Sequence, residues 1–104
     1  MKKFIIGWMT SKPEMQERFL AAIRAVLAAT RQEKGCVFIE INLDLDSPNR
    51  AVVAECFESQ EAHDIHSKMS HMATFREEMS RILVEARFEN ILSNNVTVDV
   101  PKYG

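Results

Sequence analysis

The sequence is short of the residues that build phosphate cradles, disulfide frames and membrane spans. Three glycines in 104 residues form no closely spaced pattern of the kind that cradles a dinucleotide. Two cysteines, Cys36 and Cys56, are too few for a disulfide framework. Each sits in an apolar stretch, as reduced and chemically inert cysteines do. No apolar run approaches the roughly 20 residues that cross a bilayer. Charge is not concentrated in blocks, and the net charge of −2 offers nothing to nucleic acid or anionic lipid. The start, Met1-Lys2-Lys3 followed by a short apolar run, reaches Thr10-Ser11-Lys12 without a small-residue cleavage site. No signal peptide is expected, and the chain reads as cytoplasmic. Repeats, linkers and low-complexity segments are also absent.

What remains is an ordinary globular composition, 46% apolar and 27% charged, in a chain of single-domain length spanning 1–104. Phe4 to Thr10 reads as a first strand. Ser11-Lys12-Pro13-Glu14 predicts a capped helix start, with Glu14 closing a capping box. Met15, Phe19, Ala22, Ile23, Val26 and Thr30 then recur at helical spacing, and Lys34-Gly35 ends the helix, the glycine taking a left-handed cap. Cys36 to Leu45 alternates as a strand, with Val37, Ile39, Ile41, Leu43 and Leu45 on one face. Asp46 to Asn49 reads as a turn, and Arg50 to Glu58 as the returning strand. Ser59 caps a short helix carrying His63 and His66. A longer helix restarts at Ser70, with Met72, Phe75, Met79, Ile82, Leu83 and Ala86 as its buried stripe. Asn94-Asn95 leads into a last strand, Val96 to Val100.

The order strand–helix–strand–strand–helix–strand predicts an α+β, ferredoxin-like fold with a four-stranded antiparallel sheet. Strands with Val, Ile and Leu on both faces cannot leave one sheet face in water. Burial against a second copy solves this, so a homodimer is expected.

Several stretches together carry a family likeness. They are Gly35-Cys36-Val37-Phe38-Ile39-Glu40, Glu55-Cys56-Phe57-Glu58-Ser59-Gln60-Glu61-Ala62, His63-Asp64-Ile65-His66 and Ser70-His71-Met72-Ala73-Thr74-Phe75. Over nearly its whole length the chain resembles the antibiotic biosynthesis monooxygenase-like superfamily of dimeric α/β barrels, in its quinol monooxygenase-like branch. The resemblance implies oxygenation of a small phenolic or quinol-type compound without metal or flavin. The protein would supply an apolar pocket, a base and donors for the developing oxyanion. The superfamily also includes haem-degrading members with an Asn–Trp–His set. Gly7, His66 and Phe75 or Arg76 stand at the approximately matching positions, so that set is absent, and Trp8 does not supply it. An isomerase branch would want cations for phosphate, and no Arg or Lys cluster stands out. A small-molecule-binding or stress-response dimer without turnover is the rival from another class.

The residues nominated for catalysis are His66, His71 and Glu55; those for substrate contact are Trp8, Phe38, Asn42, Phe57, Met72 and Phe75. Each has a structural alternative. His63, His66 and His71 cluster, and three imidazoles would suit zinc, but no further ligand stands at motif spacing; no metal and no cofactor are expected. His63 reads as exposed and His66 as a base, a cap or a packing residue. Glu55 would need a partner if buried, either a histidine or Arg50 or Arg81 at the sheet rim. Glu40 and Asn42 would otherwise bond across a dimer interface, and the aromatics and methionines would be core.

Overall fold

The computed structural model describes residues 1–97 and 99–102. Its elements run β1 (Lys2–Ser11), α1 (Gln16–Arg31), β2 (Cys36–Asp44), β3 (Ser47–Phe57), α2 (Gln60–Ser67), α3 (Ser70–Ile82) and β4 (Leu83–Ser93). The strands form one antiparallel sheet in the order β2-β3-β1-β4. This is the ferredoxin-like α+β fold that the order of elements predicts.

Period-2 alternation buries Ile5, Gly7, Met9 and Ser11 along β1. Ala51 and Val53 of β3 and Ile39 of β2 share that face. Phe19, Ile23 and Val26 of α1, spaced i, i+4, i+7, and Met79 and Ile82 of α3 close over it. Each such side chain contributes roughly 1.5–3 kcal/mol by leaving water. The opposite sheet face carries Phe4, Ile6, Trp8, Phe38, Val52, Ala54 and Ile91, with no helix among the described residues upon it. Phe4 and Phe38 meet edge to face there, and the Arg87 guanidinium lies 4.3 Å from the centre of the Trp8 ring.

The last third of the chain differs from the sequence expectation. The helix expected to run to Ala86 stops at Ile82, and the fourth strand is Leu83–Ser93. Of the expected strand 96–100, Val96, Thr97, Asp99 and Val100 are not in a strand, and Val98 lies outside the described residues. Leu83 and Ala86 continue the helical spacing of Met79 and Ile82 by coincidence. Glu85, Arg87 and Glu89, alternating with Ala86 and Phe88, carry a period-2 strand signal that this spacing overlaps. Pairing with β1 from Lys2↔Ser93 to Ser11↔Leu83 overrides the local preference.

Three local expectations change as well. Ser11 does not cap α1. It ends β1, buried, and a 3₁₀ turn over Pro13–Met15 begins after Lys12 without a side-chain cap. Lys12 instead donates its N–H to the Ile82 carbonyl at 2.9 Å, tying the start of one helix to the end of another. The β2–β3 reversal is the pair Leu45-Asp46, tightened by the Asp46 N–H donating to Asp44 Oδ1 at 2.8 Å, so Ser47, Pro48 and Asn49 already belong to β3. The expected cap at Ser59 does form, its Oγ accepting from the Ala62 N–H at 3.0 Å.

Two glycines matter for the site by allowing close approach. A Cβ on Gly7 would come within 2.4 Å of the Phe88 ring and 2.7 Å of Val53, so its absence lets Phe88 lie across β1. α1 ends at Arg31, short of Gly35. A Cβ on Gly35 would meet the Ala62 Cβ at 2.6 Å, so its role is to seat the loop after α1 directly on α2. The Glu58 N–H, donating to the Gly35 carbonyl at 2.9 Å, fixes that seat.

Candidate active site

Between the covered sheet face and helices α2 and α3 lies a cavity of about 500 Å³. Its walls include Ile5, Met9, Val53, Phe75, Met79 and Phe88, an apolar lining within the range typical of small-molecule sites. Its polar lining is Glu55, His63, His66, Ser67, Arg76, Ser80 and Asn90, and of these Glu55 and His66 face each other most closely. Glu55 projects from β3 toward the helices, where a strand of pure core pattern would place an aliphatic residue. Its side chain is 12% exposed. Burial, and secondarily the charge of Glu33, push its carboxyl up to about 7. It is ionised only with difficulty at neutral pH, the condition of a group poised to exchange a proton.

His66 sits in the last turn of α2, its side chain 3% exposed. Its Nε2 is 3.6 Å from Glu55 Oε1, too long for a direct hydrogen bond and short enough for one substrate hydroxyl to touch both. On its other side, Nδ1 lies 2.7 Å from Glu33 Oε2. That same oxygen is 2.8 Å from His71 Nε2. Glu33, only 6% exposed, therefore bridges two imidazoles. A carboxylate oxygen accepts, so the 2.7 Å contact puts a proton on His66 Nδ1; in the neutral ring Nε2 is then the acceptor, facing Glu55 and the cavity. The break after Lys68 turns the chain so that His71, in the first turn of α3, points back to Glu33; its ring centre lies 6.0 Å from that of His66. Phe57 packs against His66 at 4.6 Å between ring centres and fixes its plane.

Of the residues nominated from sequence, Glu55, His66, Met72 and Phe75 line this cavity. His71 joins it through Glu33. Phe57 lies fully buried behind the histidines. Trp8, Phe38 and Asn42 do not join: strand alternation puts all three on the opposite sheet face, away from this pocket. Glu55 pairs with neither Arg50 nor Arg81, which hold Asp44 and Glu77 instead, and Glu40 pairs with Arg31. His63 is half-buried rather than exposed, and burial, then the charge of Lys3, lowers its pKa. Glu33 is the site residue that sequence reading missed. It falls in an ordinary charged run after a helix, and only the Gly35–Ala62 approach reveals where it goes.

The three imidazoles do not converge as a ligand set. Glu33, His66 and His71 do bring three ligand-type atoms within 4.8 Å of one another. Their distances describe hydrogen bonds, however. A zinc ion about 2.0–2.1 Å from each donor would hold the donors roughly 3.4 Å apart, whereas Glu33 Oε2 stands 2.7 and 2.8 Å from the two nitrogens. Cys36, whose thiol burial pushes up to about 11, is not one of the residues whose ligand atoms gather there. Among the described residues, no helix is long and apolar enough to cross a membrane.

Comparison with known proteins agrees with this architecture. The structure of Rv0793 from Mycobacterium tuberculosis superposes with a TM-score of 0.87 at 19% identity, over 94% of this chain and 100% of that one. A Nitrosomonas europaea protein, named as a candidate antibiotic biosynthesis monooxygenase, gives 0.84 at 20% identity, over 93% and 94% of the two chains. Protein SO0527 from Shewanella oneidensis gives 0.80 at 25% identity, over 86% and 88%. No curated protein matches the sequence. The family model for antibiotic biosynthesis monooxygenase matches residues 4–78, from β1 through most of α3, and takes in Glu33, Glu55, His66 and His71. With most of the chain matched in this way, the protein belongs to the antibiotic biosynthesis monooxygenase family.

Proposed function

We propose that this protein is a cofactor-independent monooxygenase acting on a small aromatic or quinol-type compound. The observation that carries the reading is Glu55 held at about 7 in an apolar cavity, 3.6 Å from a buried imidazole whose second nitrogen is already committed. In this reading a substrate hydroxyl docks between Glu55 Oε1 and His66 Nε2, and the pair takes its proton. The resulting oxyanion is electron-rich enough to reduce oxygen directly. For a hydroquinone, one oxygen atom enters the ring and the other leaves as water, giving a hydroxyquinone; the four electrons that oxygen gains come from the substrate. Apolar walls exclude water from the anion and its peroxide-level successor. The test is oxygen uptake on a panel of hydroquinones and anthrones under metal- and flavin-free conditions. Uptake matched mole for mole by hydroxyquinone from a hydroquinone, or by anthraquinone from an anthrone, with no hydrogen peroxide released, supports the reading. Tight binding of the panel without uptake would leave a binding protein in its place.

The reading includes a homodimer formed through the uncovered sheet face. Phe4, Ile6, Trp8, Val52 and Ala54 would lie against the same face of a second copy, which also shields Ile91 of β4, 51% exposed in the single chain. Sedimentation at micromolar concentration is expected to give about twice the 11.9 kDa of one chain. Ala54→Arg, placing a charge at the middle of that face, is expected to give the monomer. A wild-type protein that sediments as a monomer would sink the assembly.

A further inference from the structure

We propose that His71 is a positioning residue, acting through Glu33 to hold His66 as the Nδ1–H tautomer with its Nε2 lone pair toward Glu55 and the cavity. Its catalytic consequence rests on the monooxygenase reading; its structural content does not.

Glu33 sits past the end of α1, nearly buried, and no Lys or Arg among the described residues pairs with it. Its side-chain partners among the described residues are the two histidines, and both meet the same oxygen. With one donor, a carboxylate on a flexible stem is free to rotate about its last torsion. A second donor, from a different helix and 38 residues away in sequence, fixes the plane. That matters because imidazole has two neutral tautomers and the wrong one is inert here. A proton on Nε2 would face Glu55 and occupy the lone pair that must accept the substrate proton. The lock on His66 is therefore a chain of two hydrogen bonds ending at His71. His71 is well placed to be varied without collapse. Its side chain is 24% exposed, beside a groove between α1 and α3 that also contains Ala22, Ala25 and Phe75.

The chain has three histidines, so ring-nitrogen NMR spectra are sparse enough to read. In the wild type, the His66 ring is expected to show its proton on Nδ1. In His71→Ala, His66 is expected to show a mixture or the Nε2–H form, and kcat to fall roughly 10- to 100-fold with KM little changed. His71→Gln is the rescue, because its side-chain amide nitrogen reaches the place of the imidazole Nε2 and donates to Glu33. It is expected to restore both tautomer and kcat. An unchanged His66 tautomer in His71→Ala overturns the proposal whatever the activity. So does one equivalent of tightly held metal on the purified protein that His71→Ala loses. A tautomer shift in a protein that turns over no phenol or quinol supports the lock and sinks only the monooxygenase reading.

Discussion

Glu55→Gln is expected to yield a protein that is more stable than the wild type above neutral pH and at least 100-fold slower in turnover. Both effects come from the same burial. A carboxyl raised from 4.5 to about 7 on folding costs about 3 kcal/mol to ionise in place. The sign follows from proton linkage. Below 4.5 the carboxyl is protonated in both states and there is no cost. Between 4.5 and 7 the unfolded chain releases the proton while the folded chain keeps it, so stability falls as pH rises. Above 7 the cost is complete. The glutamine of the variant carries no charge, so its stability advantage should be near zero around pH 3.5 and level off at about 3 kcal/mol by pH 8. Urea denaturation at the two pH values measures this directly. Turnover should move the opposite way, since loss of a positioned proton acceptor costs 10²–10⁴-fold. In the wild type, kcat/KM is expected to rise with pH to a plateau with an apparent pKa near 7 set by Glu55, and the variant should lack that rise. A variant that is less stable at pH 8, or as active as the wild type, would show that Glu55 is a structural residue.

The same residue shows how far a sequence can be read. Period-2 alternation puts Glu55 on a face with Val53 and Phe57, as the ladder shows, and Glu55 pairs with neither rim arginine but stands 3.6 Å from His66 Nε2. Ser59 and the break near Met69 were legible because capping and chain reversal are local events. Those two local features place His66 and His71 on a common side. Glu33 was not legible, because its role depends on a backbone approach between residues 35 and 62. The fourth strand is a different case. Leu83–Ser93 carries its own period-2 signal, Glu85, Arg87 and Glu89 against Ala86 and Phe88, but the helical spacing of Met79, Ile82, Leu83 and Ala86 overlaps its start, and the ladder with β1 decides between the two. Trp8, Phe38 and Asn42 were placed on their strands correctly, yet they lie on the face away from the pocket they were nominated for. Two faces of one sheet look alike in sequence when both carry aliphatic residues, and only the position of the helices distinguishes them.

Removing His66 tests the other half of the pair, and the packing around it decides which variant is informative. His66→Ala is expected to lower turnover by 100-fold or more, but also to destabilise the fold by about 2–4 kcal/mol. It deletes a fully buried ring packed on Phe57 and strips one of the two donors from a buried carboxylate. Activity loss in that variant therefore cannot be separated from damage. His66→Asn is the sharper test. Its side-chain amide nitrogen occupies the place of Nδ1 and can still donate to Glu33, while nothing replaces Nε2. Stability is expected to fall by only about 1–2 kcal/mol, from the volume lost against Phe57, with turnover as low as in His66→Ala. Groups that act as one unit are strongly non-additive. If Glu55 and His66 receive the proton together, His66→Asn combined with Glu55→Gln should be no slower than the slower single variant. If they act independently, the two losses should multiply. Full turnover in His66→Asn, on a substrate the wild type oxidises, would assign His66 to packing alone and leave Glu55 as the sole base.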